Sequence, residues 1–223
     1  MKKILIIASH PDDEILGCGG TIARHQKSND NVCIQFLSNG VTSRNIFKKK
    51  DVQIRLENAK KACAVLGVKN LKFENYPDNM FDTVALIEII KSIEKTVFKF
   101  KPNIIYTHSK YDLNIDHQIT HRAVMTACRP IENKFLEEIY SFEVLSSTEW
   151  STDKELSFKP NHYVDISKCI NLKVRAMKKY TDELRIEPHP RSISAIKSLA
   201  LLRGSASGVK FAEGFMLERR IIK

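Results

Sequence analysis

The sequence predicts an α/β fold in which a Rossmann-like, mostly parallel sheet carries helices on both faces. Apolar runs typical of strands alternate with helical patterns from the N-terminus onward, and no internal repeat or linker interrupts them. A β-α-β-α order implies right-handed crossovers and a parallel sheet. The 223 residues, 43% of them hydrophobic, suffice for one domain with a sizeable core, so we expect residues 1–223 to form a single domain.

Most of the chain is predicted to supply five strands and four helices. Lys3–Ala8 is almost continuously apolar, as in a strand that is buried on both faces. The clearest helix covers 83–99, where apolar residues recur at helical spacing and Pro102 follows. In chain order we predict strand Lys3–Ala8, helix Asp13–Gln26, strand Val32–Leu37, helix Val52–Leu66, strand Leu71–Glu74, helix 83–99, strand Asn103–Thr107, helix Ile115–Ala127 and strand Ile139–Leu145.

The last third of the chain has a less regular pattern, and we expect it to form C-terminal cap segments on the same domain. The predicted segments are an edge strand Tyr163–Ile166, a helix Ser167–Leu184, a helix Ile193–Leu202 and a final strand or extended segment Phe211–Ile222.

Composition excludes several classes of protein. No apolar run approaches the roughly 18 residues of a membrane span, and the apolar start of the chain is too short for a signal peptide. The chain has five cysteines, an odd number, and no Cys-x-x-Cys motif. This pattern favours buried thiols in the cytoplasm over disulfides. The net charge of +10 attracts anions, but no aromatic-interleaved basic patch indicates a nucleic-acid partner.

Two polar segments follow predicted strands, at the edge where open parallel sheets bind ligands. His10–Glu14 follows the first strand, and His108–His117 follows the fourth. Histidine and aspartate side chains from two strand ends can supply nitrogen and oxygen ligands, and three such ligands with an open position describe a catalytic zinc site. His10 and Asp13 lie about one helical turn apart, so both can reach one ion.

The adjacent carboxylates Asp12 and Asp13 favour separate roles. One can bind the metal while the other acts as a general base toward water, or one of them only caps the helix. Capping alone leaves His10 and the second acid unexplained. His117 and His121 have the i, i+4 spacing that can chelate a metal, but this spacing is weak evidence and we place His121 at the surface or in the core.

The motif His10-Pro11-Asp12-Asp13-Glu14, with Asn114-Ile115-Asp116-His117, resembles the PIG-L (LmbE-like) family of zinc-dependent N-deacetylases. Members of this family remove acetyl from compounds that contain N-acetylglucosamine. The resemblance spans nearly the whole chain. Further matching positions are Arg55, Asp78-Asn79-Met80, His189-Pro190-Arg191-Ser192, Arg203-Gly204 and Ala212-Glu213-Gly214-Phe215.

The resemblance implies roles for individual residues. Carried over by position, His10, Asp13 and His117 become the zinc ligands and Asp12 becomes the general base. Arg55 and Asp78 match positions that bind the sugar, where both can hydrogen-bond hydroxyls or a phosphate. Without the resemblance, a helix-surface arginine and a turn aspartate are equally good interpretations of these two.

Asn114 departs from the family pattern, because many relatives place a histidine three residues before the metal-binding histidine. An asparagine can donate a hydrogen bond to an oxyanion but cannot deliver a proton at neutral pH. The proton for the leaving amine then comes from Asp12, after Asp12 has accepted one from water, or from another group such as His189. Asp116, which orients the missing histidine in relatives, is expected to hold Asn114 or a substrate hydroxyl.

His189 and Arg191 lie in a loop bounded by prolines. We expect this loop to face the substrate, with Arg191 placed for a phosphate or carboxylate. A plain loop that starts a helix is the alternative.

These observations favour a cytoplasmic zinc hydrolase that deacetylates a small amino sugar or its conjugate in glycan or small-thiol biosynthesis. The basic charge is compatible with an anionic substrate such as a sugar nucleotide. One alternative is a hydrolase of a different N-acyl amide. Another is a metal-free, basic nucleotide- or nucleic-acid-binding module, whose binding falls steeply with salt. The sequence leaves the oligomeric state open and is compatible with a homo-oligomer.

Overall fold

A computed structural model describes residues 1–43, 48–152 and 157–222. The strands are β1 (Lys3–Ala8), β2 (Asn31–Ser38), β3 (Asn70–Tyr76), β4 (Ile104–His108), β5 (Glu138–Phe142), β6 (His162–Asp165) and β7 (Ala212–Arg220). The helices are α1 (Asp13–Lys27), α2 (Lys49–Leu66), α3 (Leu86–Phe100), α4 (Ile115–Ala127), α5 (Ile170–Met177) and α6 (Ile193–Ser207), with 3-10 turns at Phe81–Thr83 and Thr148–Trp150. Every predicted strand and helix up to β5 is present, with small shifts at its ends.

The seven strands form one sheet in the order β3-β2-β1-β4-β5-β7-β6. The first five strands in this order are parallel to one another, and β7 runs antiparallel to both β5 and β6. The prediction of a mostly parallel α/β sheet is therefore confirmed.

The side chains of β1 show why helices cover both faces. Ile4 and Ile6 point into one core with residues of α1, α2, α5 and α6, whereas Leu5 and Ile7 point into a second core with α3 and α4. All four are fully buried, since successive residues of a strand face opposite sides of its sheet. Each face thus has its own hydrophobic core, and β1 lies at the centre of both.

The C-terminal third differs from the expected cap. Its last strand, β7, is inserted into the sheet between β5 and β6, and only β6 occupies the predicted edge position. The predicted helix Ser167–Leu184 is also too long, because α5 ends at Met177 and turns follow. One of these turns directs the buried Tyr180 hydroxyl to Glu14, a long-range contact with no local sequence signal.

None of the helices in the described part of the chain has the length and apolar character that a membrane span requires.

The segment that connects α6 to β7 packs closely against Gly204. A Cβ at this position would lie 2.6 Å from the carbonyl oxygen of Val209 and 2.7 Å from that of Lys210. Backbone atoms of the connecting segment cannot rotate away as a side chain can, so this segment turns back over the helix only where the helix has no side chain.

We expect Gly204→Ala to lower the free energy of unfolding by about 1–3 kcal/mol, because overpacking outweighs the better helix propensity of alanine. Chemical denaturation monitored by circular dichroism measures this change. Ser205→Ala is the matched control, since Ser205 is exposed on the same helix. Equal stability of the two variants would contradict the close packing of the connecting segment on Gly204.

Candidate metal and catalytic site

The carboxyl ends of β1 and β4 lie side by side, and the chain leaves them toward opposite edges of the sheet. This arrangement opens a crevice at the strand ends. The segment His10–Glu14 follows β1, and Asp112–His117 follows β4 into the first turn of α4. The two segments singled out in the sequence therefore meet at one place.

Three buried donor atoms converge in this crevice. The carboxylate Oδ2 of Asp13 lies 3.3 Å from Nδ1 of His10 and 3.4 Å from Nε2 of His117. Ligands of a tetrahedral zinc ion, bound at about 2.0–2.2 Å, are separated by about 3.3–3.5 Å. The spacing and the nitrogen-oxygen donor set fit a divalent metal ion held by these three residues.

A second carboxylate holds each histidine from the opposite side of its ring. Nε2 of His10 lies 3.0 Å from Oδ2 of Asp116, and Nδ1 of His117 lies 3.2 Å from Oδ1 of Asp112. Such partners fix the ring orientation and tautomer of metal-binding histidines. Burial lowers the pKa of His117, but Asp13 and Asp112 outweigh it and raise this pKa to about 9. The surroundings of the ring thus favour positive charge, whether it is a proton or a metal ion.

Asp116 and Asn114 are in contact, but through the Asp116 backbone N–H, which donates to Oδ1 of Asn114, and Asp116 does not line the cavity. Its carboxylate is completely buried and accepts hydrogen bonds from the backbone N–H groups of Asn79, at 2.7 Å, and Phe81, at 2.9 Å. Together with the contact to His10, these bonds use both oxygens. Asp116 therefore positions His10 and ties the turn after β3 to the site.

Asn114 is the N-cap of α4. Its Oδ1 accepts the N–H of Asp116 at 2.8 Å, and its Nδ2 donates to Oδ1 of Asn79 at 2.9 Å. The amide NH2 group has two hydrogens, so one remains to donate into the cavity that Asn114 lines.

The other two histidines of this region, His108 and His121, do not belong to the group of three metal donors. His108 stacks on His117 with ring centroids 3.9 Å apart, and its Nε2 accepts the backbone N–H of Ser9 at 2.9 Å. Burial lowers the pKa of His108 well below its ordinary value, so the ring is neutral. His121 is buried one turn further along α4, where Nε2 lies 3.5 Å from Oε1 of Glu218.

Asp12 lies beside the metal donors but belongs to a different network. Its backbone has φ 122°, in the strained left-handed region, and its N–H donates to Oε2 of the buried Glu14 at 2.9 Å. The hydroxyl of Tyr180 donates to the other oxygen of Glu14 at 2.6 Å. Burial raises the pKa of Glu14 to about 8. Glu14 and Tyr180 therefore hold the turn that presents Asp12.

A ring of charges surrounds the Asp12 carboxylate. Oδ1 lies 3.3 Å from Nη2 of Arg55, and Oδ2 lies 3.3 Å from Nη1 of Arg191. Glu183 contacts both arginines and closes the ring, with Oε1 2.5 Å from Nη1 of Arg55. Burial raises the pKa of Asp12 to about 6, although both arginines lower it. Arg55 and Arg191 thus line the cavity while they hold Asp12.

Asp78 and His189 differ in their relation to the cavity. Asp78 lines it, with Oδ1 3.2 Å from Nε2 of His10 and Oδ2 accepting from the Ser43 hydroxyl at 2.6 Å. His189 lies outside the described lining, and its Nδ1 accepts the backbone N–H of Arg191 at 3.0 Å. The structure therefore places His189 in the turn that carries Arg191 and gives it no direct contact with the cavity.

The cavity has a volume of about 280 Å³ and a mostly polar lining. Eight of the ten predicted site residues line it, and Asp116 and His189 do not. The lining also includes a short apolar wall. Its described members are Leu16, Val144 and Leu145.

Helix α1 is broken just below the site. Cys18 has non-helical angles, so the N–H groups of Gly20 and Thr21 do not bond the preceding turn and donate instead to the carboxylate of Glu213. Lys173 donates to Glu213 at 2.6 Å and to the carbonyl of Leu16 at 2.8 Å. This buried ion pair replaces the missing helical bonds and holds the first turn of α1 in its orientation.

Several of these residues were not predicted from the sequence. Asp112 and Glu14 lie inside the two polar segments that follow predicted strands. Their position next to the predicted site residues could have indicated that they belong to the site. Glu183, Tyr180 and Lys173 carry no local signal, because each acts on a residue far away in the chain.

Several known proteins are similar to this chain in sequence. The family described as PIG-L, GlcNAc-PI de-N-acetylase, matches residues 5–128. A diacetylchitobiose deacetylase of Thermococcus kodakarensis is 25% identical over 96% of this chain and 82% of its own length.

Solved structures show the same fold. The N,N'-diacetylchitobiose deacetylase of Pyrococcus horikoshii superposes with a TM-score of 0.79 at 22% identity, over 97% of this chain and 83% of that one. A 4-carboxy-2-hydroxymuconate hydratase of Pseudomonas putida reaches 0.80 at 18% identity, over 100% and 98%. Proteins with this fold therefore catalyse different reactions, so the fold alone does not determine the function and the site residues do. The family match covers more than half of the chain, and the protein belongs to the PIG-L family.

Proposed function

We propose that this protein is a zinc-dependent hydrolase that removes the N-acetyl group from an N-acetylglucosamine-type amino sugar or its conjugate. The observation that carries the proposal is the separation of two carboxylates in one cavity. Asp13 contacts two histidines, whereas the adjacent Asp12 lies between two arginines and lines the same cavity. One carboxylate is thus free to move protons while the other holds a metal.

His10, Asp13 and His117 would hold the ion, and their two nitrogens and one oxygen suit zinc. When bound, the ion supplies Lewis-acid polarisation of the amide carbonyl and of water.

Asp12 is the general base of this proposal. Its carboxylate lines the cavity, and the two arginines beside it favour the ionised form. It accepts a proton from the attacking water and then returns it to the nitrogen of the leaving amine, so acetate and a free amine are the products. The return of the proton by Asp12 is favoured because His189 has no contact with the cavity.

Asn114 donates its remaining amide N–H toward the carbonyl oxygen, where negative charge develops. The contact of its Nδ2 with Asn79 fixes the direction of this donor before substrate binds.

The substrate class follows from the cavity and from the relatives. A mostly polar cavity of about 280 Å³ offers donors and acceptors to sugar hydroxyls, and the similar proteins named above include deacetylases of diacetylchitobiose. The net charge of +10 favours a small anionic conjugate over a neutral one. All five cysteines are free and buried, which supports a reducing cytoplasmic location.

A substrate panel tests the proposal. Zinc-loaded protein is incubated with N-acetylglucosamine in free, glycosidic and nucleotide-linked form, and released amine is measured with and without a chelator. We expect chelator-sensitive release from at least one compound. If no compound of the panel releases amine although zinc is bound, the hydrolysis of another N-acyl amide is favoured instead.

We expect Asp12→Asn to reduce kcat by at least about 100-fold, because loss of a general base costs roughly 10²–10⁴ in rate. Bound zinc, measured by mass spectrometry after gel filtration, should stay near one ion per chain. Turnover close to that of the wild type would exclude Asp12 as the base.

We expect His117→Gln to lower zinc affinity by at least tenfold, since the variant loses one of three ligands. The matched control is His121→Gln, which changes a buried histidine one turn away on the same helix. Competition with a chromophoric chelator measures both affinities. Equal affinities in the two variants would place the metal elsewhere.

A further inference from the structure

The described lining of the catalytic cavity includes three arginines, which differ in what their side chains contact. Arg55 and Arg191 each contact two carboxylates. These carboxylates belong to Asp12 and Glu183. An anion that approached Arg55 or Arg191 would have to compete with both carboxylates and would be repelled by their charge. These two arginines are therefore engaged within the protein.

Arg185 is the third arginine, and its side chain has no such partner. The residue is exposed and also lines the cavity, so it lies at the cavity mouth. Its backbone N–H donates to the carbonyl of Arg191 at 3.3 Å, which joins the two ends of the turn 185–191. No carboxylate in the described part of the chain forms an ion pair with the Arg185 guanidinium. Arg185 therefore offers a positive charge and N–H donors to a ligand.

The titration of His189 reports the electrostatic potential at this turn. Burial lowers the pKa of His189, and the guanidinium groups of Arg191 and Arg185 lower it further, although Glu149 raises it. A positive potential that disfavours a proton on the imidazole favours a negative charge placed beside the turn. The mouth of the cavity on this side is thus suited to an anion.

The size of the cavity determines which part of a substrate reaches Arg185. Its volume of about 280 Å³ is close to the lower limit of the roughly 300–1,000 Å³ that is typical of small-molecule sites. Such a volume suits one sugar ring, with the acetamido group directed to Asp12 and the metal donors. A further substituent on the ring then extends toward the mouth, where Arg185 lies.

We propose that Arg185 selects amino sugars that carry an anionic group, a phosphate or a carboxylate, on the sugar ring. The inference rests on the proposed N-deacetylation and specifies the class of conjugate. A guanidinium group donates two parallel N–H groups to either anion, whereas a neutral substituent gains less from the contact. Arg191 was expected in this role from the sequence, but its guanidinium contacts Asp12 and Glu183.

The test compares Arg185→Gln with the wild type on four forms of N-acetylglucosamine. Three are anionic, namely the 1-phosphate, the 6-phosphate and the carboxymethyl glycoside, and the methyl glycoside is neutral. We expect the variant to lower kcat/KM for at least one anionic compound by about tenfold, because a hydrogen bond to a charged group contributes about this factor. The methyl glycoside should change less than about twofold. The loss should appear in KM and not in kcat, since the contact is equally strong in the ground state and the transition state.

Arg175→Gln is the matched control. Arg175 is exposed on α5 and lies outside the described lining of the cavity, so its substitution removes the same charge from the protein without changing the site. Its ratio of anionic to neutral kcat/KM should stay within about twofold of the wild-type ratio. Arg185→Lys keeps the charge but loses the paired donors, and it should retain part of the preference.

A binding measurement separates this inference from the proposed function. The deacetylated forms of the same four compounds are titrated into wild type and Arg185→Gln by calorimetry. We expect the variant to bind at least one anionic form about tenfold more weakly and the neutral form equally well. If the wild type cleaves no N-acetyl amino sugar, the proposed function fails and this titration alone decides the inference.

An unchanged ratio of anionic to neutral compounds in Arg185→Gln, in kinetics and in binding, would overturn the inference. An equal loss for neutral and anionic compounds would also overturn it, because Arg185 would then contact the sugar itself. The same holds if Arg175→Gln lowers the ratio as much, since the effect would then reflect the net charge of the protein.

Discussion

The carboxylate of Asp13, shared between two histidines, is the interaction on which the rest of the site depends. It forces His10 of the β1 end and His117 of α4 to within one coordination sphere of each other. Asp116 and Asp112 then hold the outer nitrogens of the two rings. These five residues, three carboxylates and two imidazoles, therefore determine where a cation is stable. Burial of these carboxylates and imidazoles costs free energy. A positive charge between their donor atoms is needed to offset this cost.

The outer carboxylates also organise the surrounding chain. Asp116 accepts two backbone N–H groups of the turn after β3, and Asp112 accepts the hydroxyl of Thr148 at 2.6 Å and contacts that of Ser147. Loops from three parts of the sequence are thereby tied to the two imidazoles. On the other side, the pair of Lys173 and Glu213 holds the broken start of α1, and with it Asp13. The metal donors are thus held on rigid elements from both directions.

Local patterns in the sequence were enough to predict the central fold and to single out eight residues that line the cavity. The apolar β1 run, the helix over 83–99 and the polar residues after β1 and β4 are all short-range signals, and all lie where they were predicted. The insertion of β7 between β5 and β6 was not predicted. The alternation of apolar and polar residues identifies a strand but does not indicate which strands it pairs with. The same reason hides Glu183, which acts on Arg55 from a distant turn.

X-ray absorption spectroscopy of the zinc-loaded protein identifies the atoms that bind the ion. We expect two imidazole nitrogens and one carboxylate oxygen at about 2.0–2.2 Å, with no sulfur. In the Asp116→Asn variant the same donors should remain with greater disorder in one imidazole shell, because His10 loses its outer carboxylate. A spectrum with a sulfur ligand, or with only one imidazole, would contradict the assignment of Asp13 as the carboxylate shared by His10 and His117.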